Sequence, residues 1–122
     1  MKVLADTSVW IDHLRQSARP LCMLLDANEV LMHPAVAGEL ACGAIINRAA
    51  ILALLAELPE AYRAADDEVR NLIERRRLYG RGIGWIDAHL LASALLTECV
   101  LWTHDKTLAT IARELRISSD VV

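Results

Sequence analysis

The fold is decided by Val3-Leu4-Ala5-Asp6, a short apolar run that ends in an acidic residue, and by its counterpart Val100-Leu101-Trp102-Thr103-His104-Asp105. Each run resembles a buried β-strand, and each leads directly into a helical pattern of apolar residues. Strands that alternate with helices predict an α/β domain whose central, mainly parallel sheet is flanked by helices. Ligands of such sheets bind outside the carboxyl ends of the strands, which is where Asp6 and Asp105 fall.

The remaining sequence predicts further elements of the same kind. Helices are expected over residues 8–15, 20–27, 47–58, 66–78, 85–97 and 106–115, with another that begins near Pro34 and carries Glu39. Strands are expected over 2–5, 30–33 and 99–103, with a final edge strand over 117–122. Thr7 or Ser8 is the expected N-cap of the first helix. Neither a repeat nor a linker interrupts the chain, so residues 1–122 are predicted to form one domain.

Composition narrows the functional classes. The net charge of −3 gives no overall basicity for nucleic-acid binding, so a polyanion would need a local basic patch and metal ions to neutralise an acidic pocket. Three cysteines without a C-x-x-C pair argue against a disulfide framework, and buried free thiols in the cytoplasm are expected. The most apolar windows are too short or too interrupted by polar residues to predict a membrane span.

Two more acids, Glu39 and Asp87, are flanked by apolar residues of predicted helices. A carboxylate beside a core-facing stripe is costly unless it is paired or bound to a metal. Hydrolysis of a phosphodiester needs an activated water and neutralised oxygens, which two cations held by three or four carboxylates provide. Such cations are hard and divalent, like Mg²⁺. The sequence therefore predicts a metal-dependent enzyme acting on phosphate esters, with Asp6 as the bridging ligand, Glu39 and Asp87 completing one site and Asp105 the other.

Each of these acids also has an ordinary explanation. Asp6, Asp87 and Asp105 could simply cap helices by accepting hydrogen bonds from backbone amides. Glu39 could be a solvated helical glutamate. The metal interpretation rests on the four acids taken together.

The chain resembles PIN-domain proteins of the VapC toxin type in four stretches that follow the family's order and spacing. They are Asp6-Thr7-Ser8-Val9-Trp10-Ile11-Asp12, Pro34-Ala35-Val36-Ala37-Gly38-Glu39-Leu40, Ile86-Asp87-Ala88-His89-Leu90-Leu91-Ala92-Ser93-Ala94 and Trp102-Thr103-His104-Asp105-Lys106-Thr107-Leu108. The sequence departs from the family at Leu108, where an aromatic residue is common, and in a short C-terminus that puts the final strand in doubt.

This resemblance implies a Mg²⁺- or Mn²⁺-dependent endoribonuclease that acts as the toxin of a toxin–antitoxin pair, forms a homodimer and is inhibited by an antitoxin. The family's metal-binding acids fall on Asp6, Glu39, Asp87 and Asp105. Its hydroxyl positions fall on Thr7, Ser8 and Thr103, which are expected to orient a carboxylate, a water or a phosphate.

Basic residues between the second and third motifs are candidates for RNA contacts. Arg70 and Arg77 are seven residues apart on nearly one helical face, and could bind the RNA backbone or form a salt-bridge ladder with Glu74. Arg81, in the glycine-rich loop 80–84, is the stronger phosphate candidate. Lys106 follows Asp105, where it could approach a phosphate or remain solvated. Asp12 is expected at the surface or beside the site, and His104 is expected to be structural.

Two other functions remain open on the sequence alone. A receiver-like phospho-acceptor also places acids, a threonine and a lysine at strand ends. It needs the Thr and Lys on different strands and an acid after the middle strand, whereas the sequence places Thr103 and Lys106 near one strand and no Asp at the end of the middle strand. A non-catalytic PIN-like module, whose acids bind an antitoxin arginine, is the second alternative, and a metal-dependent nuclease assay separates it from the enzyme.

Overall fold

The computed structural model describes residues 1–17 and 19–121, and within them the chain forms three strands separated by helices, of which there are seven. The strands are β1 (Val3–Ala5), β2 (Val30–Leu31) and β3 (Val100–Trp102). The helices are α1 (Thr7–Arg15), α2 (Arg19–Asp26), α3 (Pro34–Ala41), α4 (Arg48–Ala56), α5 (Asp66–Arg76), α6 (Trp85–Thr97) and α7 (Lys106–Glu114). The α/β class is confirmed.

The sheet has the order β2-β1-β3, and both neighbours of the central strand are parallel to it. Val3 pairs with Val30 on one side and with Val100 on the other. After β1 the chain thus continues to β2 at one edge of the sheet, and it later returns to the opposite side of β1 as β3. A crevice opens at the carboxyl end of the strand where this reversal occurs. This topology places the residue after β1, Asp6, at the centre of the crevice.

The core lies on both faces of the sheet. All of β1 is buried, as expected of a parallel strand covered by helices. Helix α6 is apolar around most of its circumference and buries Ala88, Leu90, Leu91, Ala92, Ser93 and Ala94. Trp10 and Trp102 are also core residues, whereas Trp85 is 42% exposed. This packing fixes the first turn of α6, and with it Asp87, beside the carboxyl ends of β1 and β3.

The predicted helices are found with small shifts at their ends, but two strands differ. Beyond Leu31 the chain pairs with an unpredicted segment, because the Met32 amide donates to Pro59 O (2.8 Å) and the Ala61 amide donates to Met32 O (2.9 Å). The predicted final strand is reduced to one parallel bridge between Leu101 and Ser118. Its last residue, Val122, lies outside the described residues.

The first helix begins one residue earlier than predicted, and Asp6 is its N-cap instead of Thr7 or Ser8. Asp6 itself stays outside the helix because its amide donates to Trp102 O (3.0 Å), which extends the sheet by one residue. The cysteines are free, but of the three that were expected to be buried only Cys99 is, because Cys22 is half-buried and Cys42 is exposed. Burial raises the pKa of the Cys99 thiol to about 11. None of the helices within the described ranges is long and apolar enough to cross a membrane.

Candidate metal centre

Asp6 is a buried carboxylate, only 6% exposed, at the start of α1. Its Oδ1 accepts hydrogen bonds from the Ser8 hydroxyl (2.5 Å) and the Val9 amide (3.2 Å). Its Oδ2 accepts one from the Thr103 hydroxyl. An ionised carboxylate offers about four lone-pair sites, so these contacts leave capacity for one more partner. Asp6 is thus the N-cap of α1, as expected even without a metal, and three hydrogen bonds also fix the orientation of its carboxylate.

Residues 103–105 form the β3–α7 turn, which binds α1 through several contacts. Besides its bond to Asp6, the Thr103 hydroxyl accepts a hydrogen bond from the Asp105 amide (3.0 Å). The His104 amide donates to Ser8 Oγ (3.0 Å). Asp105 is the N-cap of α7 and accepts a hydrogen bond from the Leu108 amide through Oδ1 (2.9 Å). The Thr103 hydroxyl therefore links the Asp6 carboxylate to the backbone of Asp105, and the Ser8 hydroxyl links the same carboxylate to the backbone of His104.

Glu39 and Asp87 reach the crevice from helices that do not follow β1 or β3. Glu39 lies in α3, where the Thr7 hydroxyl donates to its Oε1 (2.6 Å). Asp87 lies in the first turn of α6, and its Oδ2 accepts a hydrogen bond from the Gly84 amide (3.1 Å). Helix α6 begins at Trp85, so Asp87 lies in its first turn and is not its N-cap. Asp87 supports the start of the helix through its bond to the Gly84 amide.

The four acids line one small cavity of about 190 Å³, together with Thr7, Ser8 and Leu90. Their charges act on each other across it. Burial raises the pKa of the Asp87 carboxyl, the Gly84 amide lowers it, and the nearby carboxylates of Asp105, Asp6 and Glu39 raise it further, with a net upward shift. Like charges in one partly buried pocket are unfavourable without a counter-charge.

The donor chemistry of this cavity fits a hard divalent cation, because the available ligands are carboxylate and hydroxyl oxygens. Within residues 1–17 and 19–121, however, no group of three or more His, Cys, Asp or Glu side chains is arranged closely enough to hold a metal ion as it stands. The acids therefore share a cavity without forming a closed cage.

The basic candidates lie in different surroundings. Arg81 makes a two-pronged ion pair with Glu114, with N–O distances of 2.6 and 2.7 Å. This contact raises the pKa of the Arg81 guanidinium, lowers that of the Glu114 carboxyl and occupies the Arg81 side chain that was expected to bind phosphate. The Arg70 guanidinium lies 5.6 Å from the centroid of the Trp85 ring. Arg77 and Lys106 are exposed, at the C-cap of α5 and in the first turn of α7.

The sequence did not reveal how Asp12 and His104 are used. His104 Nδ1 lies 2.5 Å from Asp12 Oδ2, and this pair joins α1 to the β3–α7 turn. The sequence did show that Ser8 and Asp12 are four residues apart, a separation that puts both side chains on one face of a helix. Their partner, 92 residues further along the chain, had no local signal.

Comparison with known proteins gives the family. The family model described as the PIN domain matches residues 3–114, a range that contains all four acids of the cavity. The chain belongs to the PIN domain family. It is also similar to proteins named Ribonuclease VapC32 from two strains of Mycobacterium tuberculosis. Each is 48% identical over 113 residues, which cover 92% of this chain and 91% of the relative.

The similarity to these relatives over nine-tenths of both chains identifies a VapC-type PIN domain, which confirms the resemblance seen in the four motifs. PIN ribonucleases in general use divalent metals. The roles of individual residues in this PIN domain, and its extent over all of residues 1–122, remain predictions.

The sheet order also bears on the receiver-like alternative. Because β1 is the middle strand, Asp6 does follow the middle strand, and the objection that such an acid was missing is wrong. The second objection is borne out by the geometry, since Thr103 and Lys106 both follow β3. Strand β2 is followed by Met32 and then by His33, whose Nδ1 accepts a hydrogen bond from the Ala35 amide (3.0 Å), so this strand supplies neither a threonine nor a lysine.

Proposed function

We propose that this PIN domain is a metal-dependent endoribonuclease, the toxin of a VapBC-type pair, which cleaves RNA phosphodiester bonds in the cytoplasm. One observation carries the proposal: four carboxylates from four separate parts of the chain line a single cavity. The names of the similar proteins, which are ribonucleases, support the choice of RNA as substrate.

Asp6, Glu39, Asp87 and Asp105 would hold Mg²⁺ or Mn²⁺. When bound, these cations supply an activated water and neutralise charge on the oxygens of the scissile phosphate. Asp6 is the best-oriented ligand, because hydrogen bonds from Ser8, Val9 and Thr103 fix both of its oxygens. Thr7 fixes one oxygen of Glu39 in the same way and leaves the other available.

Exposed cationic side chains would bind the RNA backbone. Lys106 is the nearest in sequence to an acid of the site, and Arg70 and Arg77 lie on and just after α5. Arg81 would contribute only after exchanging Glu114 for a phosphate, since both its outer nitrogens are engaged. Contacts of this type make RNA affinity fall with rising salt concentration.

The cognate antitoxin and a second copy of the chain are the proposed protein partners. Two apolar surface cavities of about 410 and 440 Å³ lie around α1, α3 and α4. Ile46 and Leu54 are 86% and 62% exposed beside them. Apolar side chains exposed in this way are typical of surfaces that another protein covers. Purification of the chain together with the product of the neighbouring small gene tests the antitoxin, and sedimentation tests the homodimer.

The experiment that tests the enzyme is an RNA cleavage assay with total bacterial RNA. Cleavage should require Mg²⁺ or Mn²⁺, stop with EDTA and resume when the metal is restored. Asp6→Asn should lower the rate by at least about 100-fold, more than the loss of a residue that only orients a ligand. Asp26→Asn, an exposed acid at the end of α2, is the matched control and should cleave like the wild type.

Three results would overturn this proposal. If Asp6→Asn cuts RNA as fast as the wild type, the cavity is not the active site. If neither protein cuts RNA and an aspartate is labelled by acetyl phosphate, the receiver-like function takes its place. Binding of an antitoxin without any cleavage would instead support the non-catalytic module.

A further inference from the structure

The β3–α7 turn is attached to α1 at three points along the helix. Thr103 donates to Asp6 at its N-cap, the His104 amide donates to Ser8, and the His104 ring contacts Asp12 one helical turn further on. The first two contacts involve side chains that also touch the acidic cavity. The third lies outside it, because neither Asp12 nor His104 lines the cavity.

These attachments act against a repulsive force. Asp6 begins α1 and Asp105 ends the turn, so their negative charges face one cavity from the two segments that the contacts join. Without a cation, mutual repulsion favours separation of the turn from α1. Any contact that holds the two segments together therefore keeps the acids closer to the arrangement that a metal needs.

The Asp12–His104 contact is well placed for this task. The imidazole Nδ1 lies 2.5 Å from a carboxylate oxygen, and the two residues are 92 positions apart in the chain. Their side chains are 55% and 35% exposed, so the contact adds little to overall stability. An effect on the turn can therefore be measured without unfolding the protein.

We propose that Asp12 and His104 are positioning residues that hold the β3–α7 turn against α1, and thereby keep Asp105 close enough to Asp6 for both to bind the same metal centre. The inference deepens the proposed function and rests on it. Residues that orient metal ligands typically change metal affinity by about 10- to 100-fold when they are lost.

The test is the affinity of the RNA-free protein for Mn²⁺, measured from the electron paramagnetic resonance signal of the free ion. Asp12→Ala and His104→Ala should each weaken binding by about 10-fold. Asp12→Asn keeps an oxygen that accepts from Nδ1–H, and His104→Asn keeps an N–H donor near the position of Nδ1. Both asparagine variants should therefore bind Mn²⁺ within about twofold of the wild type, well below the change expected from the alanine variants.

Glu60→Ala is the matched control. It removes the same charge from a side chain with the same 55% exposure, which pairs with Arg63 away from the cavity. Amide hydrogen exchange in metal-free buffer gives a second measurement. The His104 amide should exchange faster in Asp12→Ala than in the wild type or in Glu60→Ala, since its bond to Ser8 loses support. Thermal unfolding should show that every variant is folded.

Excess Mn²⁺ separates weakened binding from lost chemistry. It should restore RNA cleavage by Asp12→Ala, whereas Asp6→Asn should stay inactive at any Mn²⁺ concentration.

If Asp12→Asn weakens Mn²⁺ binding as much as Asp12→Ala, Asp12 acts only through its charge and the proposed positioning role is wrong. Unchanged affinity in both alanine variants, with a wild type that binds Mn²⁺ and cleaves RNA, also overturns the inference and leaves the proposed function standing. A wild type that neither binds Mn²⁺ nor cleaves RNA overturns both.

Discussion

Asp6 and Asp105 have similar local roles, yet the protein holds them very differently. Each follows a parallel strand, each is the N-cap of the next helix, and each accepts a hydrogen bond from the amide three residues on. Asp6 is buried and accepts two further bonds, from the hydroxyls of Ser8 and Thr103. Asp105 is exposed. The difference lies in the surroundings, because β1 is central in the sheet and β3 is at its edge.

This contrast separates two tasks within one acidic cavity. A carboxylate whose oxygens are fixed by several donors is preorganised and can define where a cation sits. A carboxylate with one fixed oxygen at the surface can adjust when the cation arrives. We expect Asp6 to define the metal position and Asp105 to adapt to it.

The largest expected effect is the difference in stability between Asp6→Ala and Asp105→Ala. Asp6→Ala leaves the Ser8 and Thr103 hydroxyls without their acceptor and removes a cap, so the free energy of unfolding should fall by about 2–3 kcal/mol. Asp105→Ala removes an exposed cap and should cost about 1 kcal/mol. Urea unfolding in metal-free buffer measures both. Equal losses would show that the burial of Asp6 has no energetic consequence.

The next effect concerns the hydroxyl that joins the two acids. Thr103→Val removes a donor to Asp6 and an acceptor for the Asp105 amide, and should destabilise the protein by about 1–2 kcal/mol. Thr107→Val, an exposed position in the next helix, is the control and should change stability by less than about 0.5 kcal/mol. A Thr103→Val protein as stable as the control would contradict the link between the acids.

A smaller effect is expected at Asp87, where a substitution should stabilise the fold instead of destabilising it. Burial and the neighbouring carboxylates raise the pKa of Asp87, so its charge is unfavourable in the metal-free protein. Asp87→Asn should therefore increase the free energy of unfolding at neutral pH by about 0.5 kcal/mol, the scale of one like-charge contact. The same variant should lose RNA cleavage. A loss of stability together with the loss of activity would indicate that Asp87 serves the fold more than the site.

The smallest effect is expected where charges pair at the surface. The Arg81 guanidinium lowers the pKa of Glu114 below its ordinary value of 4.5, so this pair adds stability above pH 4.5 and loses it as the pH falls through the lower folded pKa. The side chains of Arg81 and Glu114 are 33% and 50% exposed, so solvent screens the attraction. Glu114→Gln should therefore barely shift the unfolding midpoint at neutral pH, and the residual difference should vanish in acid. A shift as large as that of Thr103→Val would contradict this ranking.

Local patterns were sufficient to predict the order of the elements, because helical periodicity and apolar runs are read within one segment. They failed where the outcome depends on a distant partner. Met32 pairs with the segment around Glu60, and Leu101 takes most of its pairing from β1 and only one bridge from Ser118. The sequence around Met32 or Leu101 does not indicate which distant segment each of them pairs with.

The site shows the same division. The four acids were recognisable from strand ends and apolar flanks, and the cavity contains all of them. The partners of Arg81 and His104 were not predictable, since Glu114 and Asp12 lie 33 and 92 residues away and meet them only in the folded chain.

The most direct test of the account is the position of a metal in the folded protein. Crystals grown with Mn²⁺ should give an anomalous difference peak inside the cavity, with a carboxylate oxygen of Asp6 at roughly 2 Å from the metal. The peak should be absent from crystals of Asp6→Asn grown in the same way. A cavity that stays empty at saturating Mn²⁺ while the same protein cleaves RNA would contradict the account.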